Sequence, residues 1–308
     1  MTSATPSDMP ARRPDGYGQV SEEHPLRIND FSFFRYRGEK DAVVPGPELA
    51  AMAWDQAVDS LAELAEDEDW GVSDTGRTRP ILSSYIKYTY QRLVIEDKIM
   101  VSRDGAYAIF NTGLLNSYAE EIFGLFSANR SESENARRWF FNKWAVGSDR
   151  DILRHFDELP DMAEYVNSAA DLVYDWRRDL KLSYDHIISD NKERFPAEFS
   201  TSPFKARQAL ETAVSLAILR ARRNYKTVVP NWYPARDDTS IQFLMPLDLT
   251  GDGKADLALV VQSIGDKYYR GNTVLTLDMA YSNARLVARP DSEWLKPSSV
   301  HSDNSEPA

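Results

Sequence analysis

Residues 241–278, with the sequence IQFLMPLDLTGDGKADLALVVQSIGDKYYRGNTVLTLD, decide the fold class of this chain. Two apolar runs, residues 241–249 and 255–262, flank the turn sequence Thr250-Gly251-Asp252-Gly253. Asp and Gly adopt positive φ angles at little cost, so a turn of this kind between two apolar runs predicts a hairpin. Residues 273–278 form a third expected strand. The stretch therefore predicts an antiparallel sheet.

Other parts of the chain have the periodicity of helices. Residues 48–66, which follow Pro47, carry apolar side chains at three- and four-residue steps, as amphipathic helices do. Residues 80–95 have an apolar face and a second face that includes Tyr85 and Arg92. Ser202-Pro203, a capping hydroxyl before a proline, predicts a helix that continues to about Tyr225. Residues 161–176 are also expected to be helical.

Further strands are expected in the first half of the chain. Residues 98–110 alternate around Asp104-Gly105, which predicts a second hairpin. Residues 122–126 and 138–144 are rich in aromatic residues, as strands are. We therefore predict an α+β protein, with antiparallel sheets and packed helices in a single large domain that has room for two lobes.

Composition excludes several classes of function. The chain has 308 residues, no cysteine and a net charge of -12, which rules out thiol catalysis and argues against a broad duplex DNA-binding face. It has no apolar run long enough for a membrane span and no signal peptide, so we expect a cytoplasmic protein without a membrane partner. Residues 1–27 and 297–308 are expected to be disordered tails around a domain at 28–296. The oligomeric state is not indicated.

One motif resembles a calcium loop. Asp248, Thr250, Asp252 and Asp256 place oxygens at alternating positions around a glycine, as such loops do. The twelfth position is Leu259, where an EF-hand needs a bidentate glutamate. A tight hairpin explains the same residues, so we predict no metal here, although cation binding by the four residues stays open.

Three groups of side chains could hold a phosphate. Basic groups neutralise phosphate, aromatic rings stack on bases, and amides bind base edges or ribose. The first group is Tyr85, Lys87, Arg92, Lys98, Asn111 and Thr112; the second is Arg223, Tyr225 and Lys226; the third is Tyr281, Asn283 and Arg285, beside Asp278. Each has a structural alternative: an amphipathic helix, cations that complement a helix C-terminus, and a helix cap, respectively.

His186 and Asp278 are the candidates for proton transfer. A histidine in a loop beside a basic neighbour can act as a general acid or base. A purely structural histidine explains the same pattern. The sequence contains no Walker loop, dinucleotide fingerprint, nucleophile elbow or zinc-protease motif.

Several blocks together resemble the domain-of-unknown-function family 3825. They are FSFFRYRG at 31–38, residues 81–111 leading into FNTGL, YKTVVPNWY at 225–233, and ADLALVV through LTLDMAYSNARL to Trp294-Leu295. The resemblance covers about residues 28–296. In other proteins this family occurs beside OST-HTH (LOTUS) RNA-binding modules and nuclease domains, which implies a role in RNA metabolism by association.

The function expected from these patterns is action on RNA or a nucleotide. The first hypothesis is a phosphohydrolase or phosphodiesterase that acts on nucleotides or RNA ends. Mg²⁺ is the cofactor to test in that case, and no other cofactor is evident. The alternative is a non-catalytic RNA- or nucleotide-binding module in which the same residues grip the ligand. A third hypothesis is a protein-interaction scaffold that uses the acidic region around residues 63–69.

Overall fold

The computed structural model describes residues 24–38, 46–72, 79–131, 136–233, 240–291 and 294–295. The first half contains α1 (Ile28–Phe31), β1 (Ser32–Phe33), α2 (Gly46–Leu64), α3 (Pro80–Ile95), β2 (Met100–Val101), β3 (Tyr107–Leu115), β4 (Glu121–Ala128), β5 (Trp139–Val146) and α4 (Arg150–His155). The second half contains β6 (Asp179–Leu182), α5 (Tyr184–Ile188), α6 (Ala197–Ser200), α7 (Pro203–Arg223), β7 (Val229–Asn231), β8 (Gln242–Leu247), β9 (Leu257–Ile264), β10 (Tyr268–Leu275) and α8 (Leu277–Val287).

The strands form two five-stranded sheets. The first has the order β1-β5-β4-β3-β2 and the second the order β6-β10-β9-β8-β7. Both are antiparallel except for one parallel edge strand each, β1 on β5 and β6 on β10. Both predicted hairpins are present: Gly105 has φ +71° between β2 and β3, and Gly251 has φ +78° between β8 and β9. The predicted α+β class is therefore confirmed.

Helices cover the sheets and join them. One face of the first sheet packs on α2 and α3, and its other face packs on α4. Residues 257–261 of β9 are all buried, so both faces of the second sheet are covered, with α7 and α8 packed on it. Because α3 packs against α8, one continuous core runs through both halves of a compact domain. We call this α3–α8 contact the seam.

Local chemistry sets the helix ends. α3 begins at Pro80, and the Ser202 hydroxyl accepts a hydrogen bond from the Lys205 amide at the start of α7, a standard capping arrangement. α7 ends at Arg223, two residues earlier than predicted, because Asn224 is extended and a 3₁₀ turn follows. Among the described residues, no helix is both long and apolar enough to cross a membrane.

Two element predictions were wrong. Residues 161–176 form a loop with one 3₁₀ turn, Ala169–Leu172, rather than a helix. Part of its backbone bonds to other elements instead: the Glu164 amide donates to the Glu96 carboxylate. The strand predicted at residues 273–278 is the end of β10, which stops at Leu275 because the Thr276 hydroxyl caps α8. Asp278 therefore lies in the first turn of α8 and not in a strand.

The predicted tails, residues 1–27 and 297–308, are described only in part. Most of the expected tails, residues 1–23 and 297–308, lies outside the described residues. Residues 24–27 are described and pack on the domain: His24 is buried against Phe31, and the Tyr90 hydroxyl donates to the Pro25 carbonyl.

Candidate functional site

At one end of the seam lies a buried ion pair. The Arg285 guanidinium of α8 donates to both carboxylate oxygens of Glu68, at 2.6 and 2.9 Å. It also lies 5.0 Å from the ring centre of Trp70 and 4.7 Å from that of Tyr85. A guanidinium held in this way is a structural link between α8 and the acidic segment around Glu68, and a phosphate would have to displace the carboxylate to reach it.

Tyr85 and Thr112 are joined in the same region. The Tyr85 hydroxyl donates to the Thr112 carbonyl at 3.0 Å, and the Thr112 hydroxyl donates to the Ile122 carbonyl at 2.7 Å. Burial raises the pKa of Tyr85 although the nearby Arg285 charge lowers it. Tyr281 of α8 is buried beside them, and its pKa is likewise raised by burial. The structure thus brings together four of the predicted ligand residues, with little open surface.

At the other end of the seam, α3 holds the 161–166 loop. Arg92 donates to the Glu96 carboxylate and the Glu164 carbonyl, and its guanidinium lies 5.7 Å from the ring centre of Tyr165 and 5.6 Å from that of Trp232. Lys98 donates to the Met162 carbonyl at 3.0 Å and lies 3.1 Å from Glu96. Both predicted cations are therefore already paired inside the protein.

The remaining predicted ligand residues of the first and third groups lie on β3, α3 and α8. Asn111 donates through its amide to Glu121 and to the Pro160 carbonyl, and accepts from the Gly113 amide. Lys87 of α3 lies 5.7 Å from the ring centre of Trp54. Asn283 is half-buried on α8.

The second predicted group lies at the exposed end of α7. Arg223 donates to the Leu219 carbonyl one turn earlier, and Tyr225 is 64% exposed. Lys226 donates to Asp291 at 3.0 Å, and this hydrogen bond raises the pKa of the lysine. These three residues are thus on the surface of the α7 end, whereas the Arg92 guanidinium packs beside the Tyr165 and Trp232 rings.

The two proton-transfer candidates lie on different helices. His186 is on α5, exposed to solvent, with Nδ1 2.9 Å from an Asp190 carboxylate oxygen. Asp278 is half-buried in the first turn of α8, where the helix dipole stabilises a carboxylate.

Two carboxylates of the calcium-like motif accept hydrogen bonds from the backbone amides of the same turn. Asp248 accepts from the amides of Gly251 and Gly253, and Asp256 accepts from the amides of Leu249 and Thr250. The carboxylates therefore support the turn, as the hairpin interpretation expects. Within the described parts of the chain, no group of three or more acidic or histidine side chains is placed to hold a metal ion.

Sequence reasoning missed a cleft between α2 and β5. Its volume is about 320 Å³, within the range of ligand sites, roughly 300–1,000 Å³. It is lined by Phe34, Arg35, Arg37, Ala53, Gln56, Ala57, Ser60, Phe141, Asn142, Lys143 and Trp144. We call it the α2–β5 cleft.

Strand pairing builds this cleft. β1 pairs in parallel with the beginning of β5, so residues 34–37 run on beside β5. Gln56 of α2 fixes that segment, because its amide oxygen accepts from the Arg37 amide at 2.8 Å and its amide nitrogen donates to the Arg37 carbonyl at 3.3 Å. Arg35 and Arg37 are two residues apart, a spacing that places extended side chains on one side.

The cleft combines positive charge with aromatic rings. Arg35 and Arg37 are exposed, and within the described ranges neither is paired with a carboxylate. The ring centres of Phe34 and Phe141 are 4.9 Å apart, and those of Phe141 and Trp144 are 4.8 Å apart. The third cation, Lys143, is held by Asp149 and Asp151. The sequence signal was the alternation of aromatic and basic residues in FFRYR.

One comparison with known proteins identifies a relative. The family described as domain of unknown function (DUF3825) matches residues 61–294, well over half of the chain. The matched range contains the seam, α7 and the β5 side of the α2–β5 cleft, residues 141–144, while the lining residues from the β1 extension and α2, including Arg35 and Arg37, precede it. The chain matches no curated protein and no solved structure.

Proposed function

We propose that this chain, which belongs to the DUF3825 family, binds RNA or a nucleotide through a phosphate held in the α2–β5 cleft. The observation that supports this is the meeting of Arg35 and Arg37 in an aromatic-lined cleft whose described lining contains no carboxylate. We also propose that the protein is cytoplasmic. The choice of RNA as a ligand rests on the family resemblance, which implies an association with OST-HTH modules.

The charges favour a phosphate over other anions of the same size. A guanidinium presents a rigid fork of donors that matches phosphate oxygens two at a time. The protein as a whole carries a net charge of -12, so an anionic ligand is expected to bind only where positive charge is concentrated. Arg35 and Arg37 provide such a place, since neither guanidinium has a carboxylate partner among the described residues; that of Arg37 donates to the Asn142 carbonyl at 3.4 Å.

The aromatic lining favours a ligand that also carries a flat ring. Phe141 is half-buried, so part of its ring is accessible from the cleft. Stacking of a base on such a ring contributes about 1–3 kcal/mol. A nucleotide, free or at the end of an RNA, combines the phosphate and the ring that this lining suits.

Binding without turnover fits the lining better than hydrolysis. General acid–base chemistry uses His, Asp, Glu, Lys, Tyr or Cys, and the only such residue in the described lining is Lys143, whose ammonium is held by two aspartates. The phosphohydrolase activity, with or without Mg²⁺, stays a prediction. His186, 2.9 Å from an Asp190 carboxylate oxygen, and Asp278 are its candidate proton carriers.

Titration calorimetry with the four nucleoside monophosphates, and with the matching nucleosides, tests the proposal. Arg37→Ala removes one charge-assisted phosphate contact worth about 1.5–3 kcal/mol, so the affinity should fall about ten- to one-hundred-fold. Arg103→Ala is the matched control, because Arg103 is 91% exposed on the β2–β3 turn and pairs only with exposed Asp157 among the described residues. That variant should bind like the wild type.

Two results would contradict the proposal. One is equal affinity for nucleosides and nucleotides, which would mean that the phosphate is not recognised. The other is unchanged nucleotide affinity in both Arg35→Ala and Arg37→Ala. Assaying the same mixtures for released products, with and without Mg²⁺, separates the binding module from the hydrolase.

A further inference from the structure

A row of polar side chains crosses all five strands of the second sheet. Asn231 of β7 lies opposite Gln242 of β8, which lies opposite Gln262 of β9. Gln262 in turn lies opposite Arg270 of β10, and Arg270 lies opposite Lys181 of β6. Residues paired in this way project to the same face of a sheet. We call these five residues the polar row.

Side-chain contacts agree with this register. The Asn231 amide nitrogen lies 3.4 Å from the Gln242 amide oxygen, to which it donates. At the other edge, the Lys181 ammonium lies 4.1 Å from the ring centre of Tyr268, which precedes Arg270 by two residues and therefore shares its face. An aromatic ring and two cations thus lie together at the β6 and β10 end of the polar row.

The polar row becomes more exposed from β7 to β6. Asn231 is buried, Gln242 and Gln262 are half-buried, and Arg270 and Lys181 are exposed. Two residues away on the same face, Leu244 and Val260 are buried. This face therefore changes from an apolar surface under the packed helices to a polar surface open to solvent.

We propose that the polar row binds a short single strand of RNA, laid across the strands of the second sheet. This inference rests on the proposed function for the identity of the ligand, but it uses a different surface. Neighbouring strands are about 4.8 Å apart, so the accessible part of the row, from Gln242 on β8 to Lys181 on β6, spans roughly 14 Å, enough for a few nucleotides. An exposed surface that runs across several strands suits an extended strand of RNA, whereas the α2–β5 cleft suits one nucleotide.

Each type of side chain in the region has a partner in single-stranded RNA. Tyr268 offers its ring to an unpaired base, since aromatic residues on open sheets stack bases without strict sequence preference. Lys181 and Arg270 are complementary in charge to the phosphates that follow. Gln242 and Gln262 carry amides, which hydrogen-bond to the edges of unpaired bases. Asp179, opposite Tyr268, is the one carboxylate that the pairing register places next to these two cations.

Fluorescence anisotropy with a short, labelled, unstructured RNA tests the polar row. Tyr268→Ala should weaken binding about five- to one-hundred-fold through the loss of one stacked base. Tyr268→Phe keeps the ring and should bind like the wild type. Lys181→Ala should reduce the slope of log affinity against log salt by about 0.7, the value for one phosphate contact on a single strand.

Lys254→Ala is the matched control for charge. Lys254 is exposed in the β8–β9 turn, at the opposite end of the second sheet from the polar row. Its removal should leave both the affinity and the salt slope unchanged. Thermal unfolding of every variant checks that the sheet is intact, and the salt slope of Lys181→Ala keeps the polar row testable if Tyr268→Ala does not fold.

The outcomes separate this inference from the proposed function. If Tyr268 and Lys181 variants weaken RNA binding but leave mononucleotide binding unchanged, the polar row is supported. If only Arg35 and Arg37 variants weaken RNA binding, the row is overturned and the cleft stands. If no mononucleotide binds while RNA binding depends on Tyr268, the cleft fails and the row stands. Equally tight binding of duplex RNA or an acidic peptide at this face would overturn the row.

Discussion

Removing Glu68 tests whether Arg285 is a structural link or a ligand-binding group. The two side chains are 7% and 11% exposed, so Glu68→Ala leaves a nearly buried guanidinium without its carboxylate. Breaking such a pair costs about 3–5 kcal/mol. The rings of Trp70 and Tyr85 still contact the cation, and each such contact is worth about 0.5–2 kcal/mol. We therefore expect a loss near the lower limit, about 3 kcal/mol.

Urea unfolding followed by tryptophan fluorescence measures this loss. The double variant Glu68→Leu/Arg285→Met should recover most of it, because replacing both charges removes the unpaired buried ion. Glu211→Ala is the control: it breaks the exposed Arg207–Glu211 pair on α7 and should cost much less than Glu68→Ala, because solvent screens an exposed ion pair. A Glu68→Ala cost no larger than this control would refute the reasoning. So would an Arg285→Ala variant that loses nucleotide binding at unchanged stability.

Two further predictions concern backbone strain and pH. Gly113→Ala should destabilise the protein more than Gly105→Ala in the same unfolding assay. Both glycines have φ near +71°, but of the two only Gly113 has an atom within 4 Å of the added Cβ, the Tyr85 hydroxyl oxygen at 2.8 Å. Equal losses of unfolding free energy would contradict this prediction. Burial alone would raise the pKa of Asp149, but hydrogen bonds from Lys143 and a backbone amide lower it below its usual value. Ionised Asp149 therefore stabilises the folded protein above the unfolded pKa of about 3.9, and this stabilisation is lost as the pH falls through the lowered folded pKa. Asp149→Asn should therefore cost under about 1 kcal/mol near neutral pH and nothing below the folded pKa; a cost independent of pH would contradict the argument.

The parts of the fold that depend on neighbouring residues could be predicted from sequence. Ser202-Pro203 determines the start of α7, and the glycine turns produce both hairpins, because caps and turns act within a few residues. The helix predicted at 161–176 failed because the contacts that fix this loop come from α3, about seventy residues earlier. Such long-range competition leaves no local pattern.

The candidate site was less predictable for the same reason. Arg285 has the composition of a phosphate ligand, but its partner Glu68 lies 217 residues earlier in the chain. The α2–β5 cleft exists only because β1 pairs with β5, which brings together segments about one hundred residues apart. The sequence could mark FFRYR as unusual, yet only the pairing of these strands shows which surface its arginines line.

The central claim is that a phosphate-bearing nucleotide binds in the α2–β5 cleft. Photo-crosslinking with an azido-labelled nucleotide, followed by mass-spectrometric mapping of the labelled peptides, tests it most directly. We expect labelling in residues 34–37, 53–60 or 141–144, prevented by excess unlabelled nucleotide and reduced in Arg37→Ala. Labelling confined to the seam around Tyr85 and Arg285, or unchanged by Arg37→Ala, would contradict it.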